Sequence, residues 1–169
     1  MDTAESDHQS QLRNRLNELK ISPHVRTIIG LDGSDLNSRR SAMKKLTRNL
    51  PQDDIKALKS FLDFRYKDNS SERLLVFEGL KNDALDVLLR QENLPEGIGI
   101  RLVKMFSDSE HSDVWRDYCI QYLAPYYQRK WPAGKQLSDD PERKTIEQAY
   151  WDATAQADRS FAGTPPPWP

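Results

Sequence analysis

The residues best suited to catalysis or metal binding are few in this sequence. His111 stands beside Asp108, Glu110 and Asp113, but one histidine with acidic neighbours lacks the ligand number of a zinc site, so a solvated turn is expected there. The single cysteine, Cys119, falls at a position predicted to be packed, whereas a nucleophile needs exposure and a base. No glycine-rich phosphate loop, Ser-His-Asp order or Cys-x-x-Cys pair is present. The sequence therefore predicts no catalytic residue, metal site or cofactor, and no enzymatic activity.

A basic stripe is the first candidate for a binding surface. The helix predicted over 36–49 contains no acidic residue, and Arg40, Lys44 and Arg48 recur on it every four residues, with Lys45 beside them. A stripe of this kind could contact phosphates. The solvent face of an amphipathic helix is the simpler interpretation, because charged runs usually serve solvation. Arg40, Lys44, Lys45 and Arg48 are therefore the candidate contact with a partner, and a solvated helix face is the alternative.

Aromatic residues form the second candidate surface. The helix predicted over 112–129 is rich in tyrosine and tryptophan, and its helical spacing places Trp115 and Tyr126 on one stripe. That stripe is either a recognition face, since Tyr and Trp are enriched at binding sites, or the buried side of the helix, which the spacing favours. Tyr127 and Trp131 lie off the stripe and are predicted to be exposed and available to a partner.

The overall composition excludes several classes of protein. The chain has 169 residues with 25 Lys plus Arg against 26 Asp plus Glu, giving a formal net charge of -1. This balance excludes a globally basic nucleic-acid protein and a polybasic membrane binder. The acidic N-terminus carries no apolar core and no run of 18 apolar residues occurs, so neither a secretory signal nor a membrane span is predicted. A cytoplasmic location is favoured for the chain as given, although a leader removed beforehand would leave no trace.

The elements that carry these residues are helices throughout. Apolar residues recur at helical spacing, and Ser22-Pro23 and Asp140-Pro141 place a capping side chain before a proline at the first helical position. The connections are mostly two to five residues long, which makes consecutive helices antiparallel neighbours. Helices are predicted over 8–20, 22–29, 36–49, 51–66, 71–80, 82–91, 95–107, 112–129 and 141–161. Trp131 in the long connector 130–139 suggests a loop packed back on the helices.

An internal repeat relates these helices to one another. Four nine-residue phrases each carry an arginine at the second place, at intervals of 34, 43 and 43 residues. A small or modest apolar residue follows three positions later, where it would let neighbouring helices approach closely. The arginine stem would lie along the interface while its guanidinium bonds carbonyls or a carboxylate of the next hairpin, at the hairpin junction. The repeated arginines are Arg39, Arg73, Arg116 and Arg159.

These phrases resemble the Val-Arg-x-x-Ala-x-x-Ala-Leu phrase of the HEAT-repeat family. The resemblance covers residues 34–162, and the stretches 80–85 and 113–119 are similar to HEAT-like proteins found in bacteria. It implies a right-handed α-α superhelix of antiparallel helix pairs and a scaffold that binds other proteins. Two other branches of the resemblance are nucleic-acid-binding proteins or DNA glycosylases, and lyase subunits. Ser38, Glu72 and Asp158 depart from the phrase, since each stands where it has valine.

The predicted organisation is a single helical-repeat domain over 8–162, between a disordered N-terminus at 1–7 and a proline-rich tail at 163–169. The tail either ends the repeat as a cap or leaves a face that docks on another chain. We expect a monomer or weak dimer, with another protein as the main partner, nucleic acid as the alternative and no membrane. The residues predicted to be buried are Leu46, Leu62, Val76, Leu88, Leu102, Cys119, Leu123 and Ile146.

Overall fold

The computed structural model describes residues 3–65, 71–133 and 139–157. Over these ranges it contains eight α-helices and no β-strand, which confirms the all-α prediction. The helices are α1 (Thr3–Glu18), α2 (Pro23–Ile28), α3 (Leu36–Met43), α4 (Gln52–Phe61), α5 (Ser71–Leu89), α6 (Ile98–Ser107), α7 (Asp113–Lys130) and α8 (Pro141–Ala157). The predicted tail at 163–169 lies outside the described residues.

Two helix starts form by the capping chemistry expected from the sequence. The Ser22 hydroxyl accepts a hydrogen bond from the amide of Val25 at the start of α2. The Asp140 carboxylate accepts one from the amide of Glu142 at the start of α8. In both cases proline follows at the first helical position, where its missing N–H leaves no bond unmade.

Helix α1 begins earlier than predicted. It starts at Thr3, so residues 3–7 are helical where a disordered end was expected. The stretch 3–18 contains neither proline nor glycine, the residues that most often stop a helix. The polar composition that suggested disorder is therefore also compatible with a solvated helix.

Helix α3 ends at Met43 rather than at 49. The loop that follows is bound by Gln91, whose amide nitrogen donates to the Thr47 carbonyl at 3.0 Å. The Leu50 amide in turn donates to the Gln91 side-chain oxygen at 2.9 Å. These bonds hold the loop in a non-helical conformation, and α3 ends six residues before the predicted end at 49.

Helix α5 is one continuous helix where two were predicted, over 71–80 and 82–91. Lys81 at the expected break is fully buried, and its ammonium lies 3.2 Å from the Glu78 carboxylate one turn before it. No proline interrupts the stretch, and a lysine by itself does not break a helix. The helix therefore runs through the predicted break, and Lys81 lies in the interior.

The helices form two compact units, Met1–Pro95 and Glu96–Pro169. In the first, α2 packs on α3, α4 packs on α5, and α3 also contacts α5. In the second, each of α6, α7 and α8 packs on the other two. The single domain predicted over 8–162 stays a prediction, and each unit is described separately below.

The predicted core residues are mostly buried. Six of the eight lie in the interior of their unit, which confirms the assignment of the helix faces. They are Leu62, Leu88, Leu102, Cys119, Leu123 and Ile146. Leu46 and Val76 are half-buried. Leu46 follows the early end of α3, so it lies in a loop rather than on the inner face of a helix.

Candidate functional site

Two helical hairpins are closed by the same arginine contact. In the first unit the Arg39 Nε on α3 donates to the carbonyl of Ile28, the last residue of α2, at 2.7 Å. In the second unit the Arg116 Nε on α7 donates to the carbonyl of Phe106, near the end of α6, at 2.8 Å. Each bond satisfies a carbonyl at a helix C-terminus that has no partner inside its own helix. Both arginines thus bond carbonyls, as predicted, but each bond closes the arginine's own hairpin instead of reaching the next one.

Aromatic rings enclose the first of these arginines. The Arg39 guanidinium carbon lies 5.4 Å from the ring centroid of Phe61 and 5.8 Å from that of Phe77. Burial lowers its pKa from the usual value, and the nearby Arg13 adds to the effect. Gly30 leaves room for the guanidinium, because a Cβ there would lie 3.3 Å from its carbon. This arginine is a structural group with cation–π support from the core.

The other two repeat positions give different results. Arg73 is exposed, contrary to the prediction of a partly buried stacking residue. It lies in the first turn of α5, where its side chain is exposed to solvent. Arg159 lies outside the described residues.

The four predicted basic contact residues, Arg40, Lys44, Lys45 and Arg48, form what we call the basic cluster. All four are exposed. Only Arg40 lies within α3, since Lys44 caps the helix and the other two belong to the following loop. The straight stripe expected from a helix over 36–49 is therefore wrong, and the charges surround a helix end instead. None of the four side chains forms an ion pair with a carboxylate in the part of the chain that the structure describes.

The loop that carries the basic cluster is held in place by buried hydrogen bonds. Gln91 is only 2% exposed and also donates to the Val87 carbonyl, which fixes its amide on the end of α5. The Arg48 carbonyl accepts a bond from the Glu92 amide at 2.8 Å. The exposed cations therefore project from a backbone with a defined conformation, which lowers the entropy lost when a partner binds.

The charges of the basic cluster affect the pKa of one carboxylate of α5, that of Asp83. Partial burial raises the pKa of Asp83, and the nearby cations of Arg40 and Lys44 oppose that rise. The surface beside the cluster is thus mixed in charge rather than uniformly basic.

The two predicted exposed aromatics are both engaged within the second unit. Tyr127 is buried, which contradicts the prediction, and its hydroxyl donates to Glu147 of α8. Trp131 is half-buried, with its ring centroid 5.1 Å from that of Tyr127 and 6.2 Å from that of Tyr126. The prediction failed because α7 is covered by α6 and α8, so that aromatic side chains beyond one helical stripe are enclosed. The start of the connector after α7 does pack back on the helix, as expected.

Two tyrosine–glutamate pairs join α7 to α8. The Tyr126 hydroxyl donates to Glu142 at 2.8 Å, and Glu142 also pairs with Lys130. Burial, together with the bonded carboxylate, raises the pKa of Tyr126 and brings that of Tyr127 to about 12. Both phenols are therefore neutral donors near neutral pH, and the pairs serve packing rather than proton transfer.

A groove opens on the second unit between α6 and α8. It has a volume of about 720 Å³, within the range of ligand-binding clefts. Its walls combine apolar side chains from both helices with Arg116 at one end. The lining residues are Val103, Phe106, Ser107, Arg116, Lys144, Thr145, Gln148, Ala149 and Asp152.

The titratable residues considered at first do not assemble into a reactive site. His111 is 7% exposed rather than solvated, because its backbone folds over Asp108 in the turn before α7. Cys119 is buried, as predicted for a packing residue. Among the described residues no three His, Cys, Asp or Glu side chains lie close enough to hold a metal ion. Within the same ranges no helix has both the length and the apolar character needed to cross a bilayer.

Sequence reasoning missed the groove and the side chains that organise the loops. Gln91 gave no signal, since a single polar residue after an apolar helix is usually solvated. Glu142 and Glu147 lie 16 and 20 residues after the tyrosines that they bond, so their pairing could not be predicted before the packing of α7 on α8 was known.

Comparisons with models of known protein families, with curated proteins and with solved structures find no match.

Proposed function

We propose that this chain is a non-enzymatic, HEAT-like helical scaffold that binds another protein, with the basic cluster contacting an acidic surface of that partner. The proposal treats α2–α3 and α6–α7 as two copies of one repeated hairpin unit, as in a right-handed α-α superhelix.

The equivalent arginine contacts support the repeat. Arg39 and Arg116 each follow a capping residue by four positions, and each bonds a carbonyl ten or eleven residues upstream. A buried small residue, Ala42 or Cys119, follows each arginine at three positions. Two hairpins with a side-chain cap at the same place, the same arginine bond and the same close-packing position are typical of repeated units.

The observation that carries the binding proposal is the exposure of four cations around the end of α3 and the ordered loop that follows it. Lysine and arginine side chains lacking intramolecular partners keep their charge available to a partner. Charge complementarity of this kind mainly speeds encounter and selects the partner, rather than adding to affinity. Arg40 and Arg48 additionally offer planar guanidinium groups suited to bidentate carboxylate bonds.

A protein partner is favoured over nucleic acid by the number and arrangement of these charges. Tight duplex binders commonly contact about six to ten phosphates, whereas the basic cluster has four cations. The early end of α3 also breaks the row that would follow a phosphate backbone, and Asp83 lies near two of the cations. A localised acidic patch on a protein fits this compact group better.

Base excision and lyase chemistry receive no comparable support. The groove of the second unit holds one aromatic side chain, Phe106, among its described lining residues. Its carboxylate, Asp152, accepts a hydrogen bond from Gln148 at 2.8 Å. A flipped base needs stacking surfaces on its faces and a carboxylate aimed at the reacting atom, so this groove suits binding rather than catalysis.

The test compares two double variants with the same charge change in the first unit. Lys44→Gln with Arg48→Gln removes half of the basic cluster, and Arg13→Gln with Arg15→Gln removes two exposed charges from α1. Each chain is immobilised on a resin and incubated with a lysate of its source cells, and the retained proteins are quantified by mass spectrometry. An acidic protein retained by the wild type and the α1 variant should be depleted about tenfold on the cluster variant, in line with the rate effect of electrostatic steering.

The purified partner then allows a kinetic measurement. Its association rate should fall with salt and fall in the cluster variant, while dissociation changes little. Equal retention by both variants would contradict the proposed contact. A 20-base-pair fluorescent duplex provides the comparison with nucleic acid, and salt-sensitive duplex binding lost only in the cluster variant would favour the nucleic-acid alternative instead.

A further inference from the structure

The groove between α6 and α8 has an apolar lining and an exposed tryptophan beside it. Val103, Phe106 and Ala149 supply the apolar side chains of the lining. Trp151 follows the lining residue Gln148 by three positions, so the two side chains are neighbours on the surface of α8. The tryptophan is 50% exposed. The groove and its margin therefore offer apolar surface to an occupant.

The charged side chains that line the groove are two cations and one carboxylate. Arg116 and Lys144 carry the positive charges, and Asp152 is the one acidic side chain among the described lining residues. The Asp152 carboxylate already accepts a hydrogen bond from the side-chain amide of Gln148 at 2.8 Å. The lining therefore has an excess of one positive charge, which is complementary to an occupant with a single anionic group.

The carboxylates that pair with the two cations stand outside the groove. Arg116 pairs with Asp113, whose side chain is 94% exposed, and Lys144 pairs with Asp139, whose side chain is 84% exposed. Neither aspartate belongs to the lining. Ion pairs as exposed as these contribute little free energy, because water and side-chain entropy oppose them. An anion inside the groove can therefore compete with both aspartates.

The guanidinium of Arg116 is held in position and retains donors for a ligand. Its Nε donates to the Phe106 carbonyl at 2.8 Å, and its central carbon lies 5.9 Å from the centroid of the Phe106 ring. One Nη donates to Asp113, so three of the five N–H groups remain. A fixed, planar guanidinium beside an aromatic ring suits a planar carboxylate attached to an apolar body.

We infer that this groove binds a small amphipathic monocarboxylate, with the carboxylate on Arg116 and the apolar body along Val103, Phe106 and Ala149. The volume of about 720 Å³ is in the range of small-molecule sites. The single carboxylate matches the excess charge of the lining, and Lys144 adds to the attraction. The site lies in the second unit, so it does not depend on the partner proposed for the basic cluster in the first.

The test is a titration of the full-length chain followed in methyl ¹H–¹³C NMR spectra. Octanoate is the probe, and octan-1-ol and octylammonium are the neutral and cationic molecules of the same chain length. The methyl signals of Val103, Thr145 and Ala149 should shift saturably with octanoate. Octan-1-ol should bind about tenfold more weakly, because it cannot form charge-assisted bonds, and octylammonium more weakly still. Decanoate should bind more tightly than octanoate, by up to about fourfold for each added methylene.

A pair of matched variants tests the charge of the lining. Gln148→Glu adds a carboxylate one turn from both Lys144 and Asp152, so octanoate should bind about threefold more weakly and octylammonium more tightly. Gln121→Glu makes the same change on an exposed site of α7 outside the lining and should leave both affinities unchanged. Circular dichroism at 222 nm reports whether the helices of each variant remain.

The outcomes separate the proposed ligand from the other possible occupants. Octanoate that shifts none of the three methyl signals, or that binds no more tightly than octan-1-ol, would overturn the inference. Tighter binding of octylammonium than of octanoate would assign the groove to cationic ligands instead. Octanoate binding that is unchanged in Gln148→Glu, with the helices intact, would show that the charges of the lining do not select the ligand and would equally overturn it.

Discussion

Gly99 is the residue whose substitution tests the packing of the second unit most sharply. A methyl group at this position of α6 would lie 2.5 Å from Tyr126 Cε1 and 2.9 Å from Glu142 Oε1, and closer still to Ile146 Cδ1. Carbon atoms in contact normally stand about 3.5 to 4.0 Å apart, so all three side chains would have to move. Tyr126 and Glu142 are bonded to each other, which means that moving either one breaks that bond as well. Gly99→Ala should therefore destabilise the protein despite the better helix propensity of alanine.

The expected magnitude follows from three contributions. Overpacking costs about 1 to 3 kcal/mol, and loss of a hydrogen bond to a charged group costs about 1.5 to 3 kcal/mol. Alanine returns about 1 kcal/mol through helix propensity, leaving a net loss of about 1.5 to 5 kcal/mol. Urea unfolding followed by circular dichroism at 222 nm measures this loss. Gly79→Ala on α5 is the control, since its added methyl would meet only the Arg40 guanidinium at 3.5 Å and should be neutral or slightly stabilising. Equal stability of the two variants would refute the close approach of α6 to α7 and α8.

Three further substitutions test other contacts. Arg116→Met keeps the apolar stem but leaves the Phe106 carbonyl without its donor, so unfolding free energy should fall by about 1 to 3 kcal/mol, and an unchanged melting temperature would contradict the stacking role. Lys81→Met removes the cation that pairs with the buried Glu78, so the free energy of unfolding should fall by about 3 to 5 kcal/mol. Replacing both residues by apolar ones should restore most of this loss. Equal stability of the single and double variants would argue against the buried pair. The pKa of Tyr127 is raised to about 12 in the folded protein, so the neutral phenol contributes stability that is fully present below about pH 10 and is lost as pH rises from 10 through 12. The wild type should therefore lose stability over that window more steeply than Tyr127→Phe. Parallel profiles would contradict the buried hydrogen bond.

The helical character and the hairpin contacts could be predicted because they depend on local sequence. Periodic apolar residues define the buried faces, and a cap followed by proline defines a helix start. The contact of Arg116 was predictable for the same reason, since it reaches back only ten residues to Phe106. Features of this kind depend on residues close in sequence and therefore do not require the tertiary packing to be known.

The remaining features depend on contacts between residues distant in sequence. The end of α3 is set by Gln91, more than forty residues after the loop that it binds. Helix α5 continues through the buried Lys81, where the sequence predicted a break between two helices. Burial of Tyr127 requires α8 to cover α7, and the groove exists only once α6 and α8 are packed. Periodicity within one helix carries no information about any of these.

The most direct test of the proposed function is hydrogen–deuterium exchange of the chain with and without the acidic partner that it retains. If the basic cluster is the contact, amide exchange should slow over residues 40–50 when the partner is added and stay unchanged over residues 13–20 of the same unit. High salt should abolish the protection, because the contact depends on exposed charges. Protection confined to residues 98–157, or none at all on a chain that still retains the partner, would contradict the account.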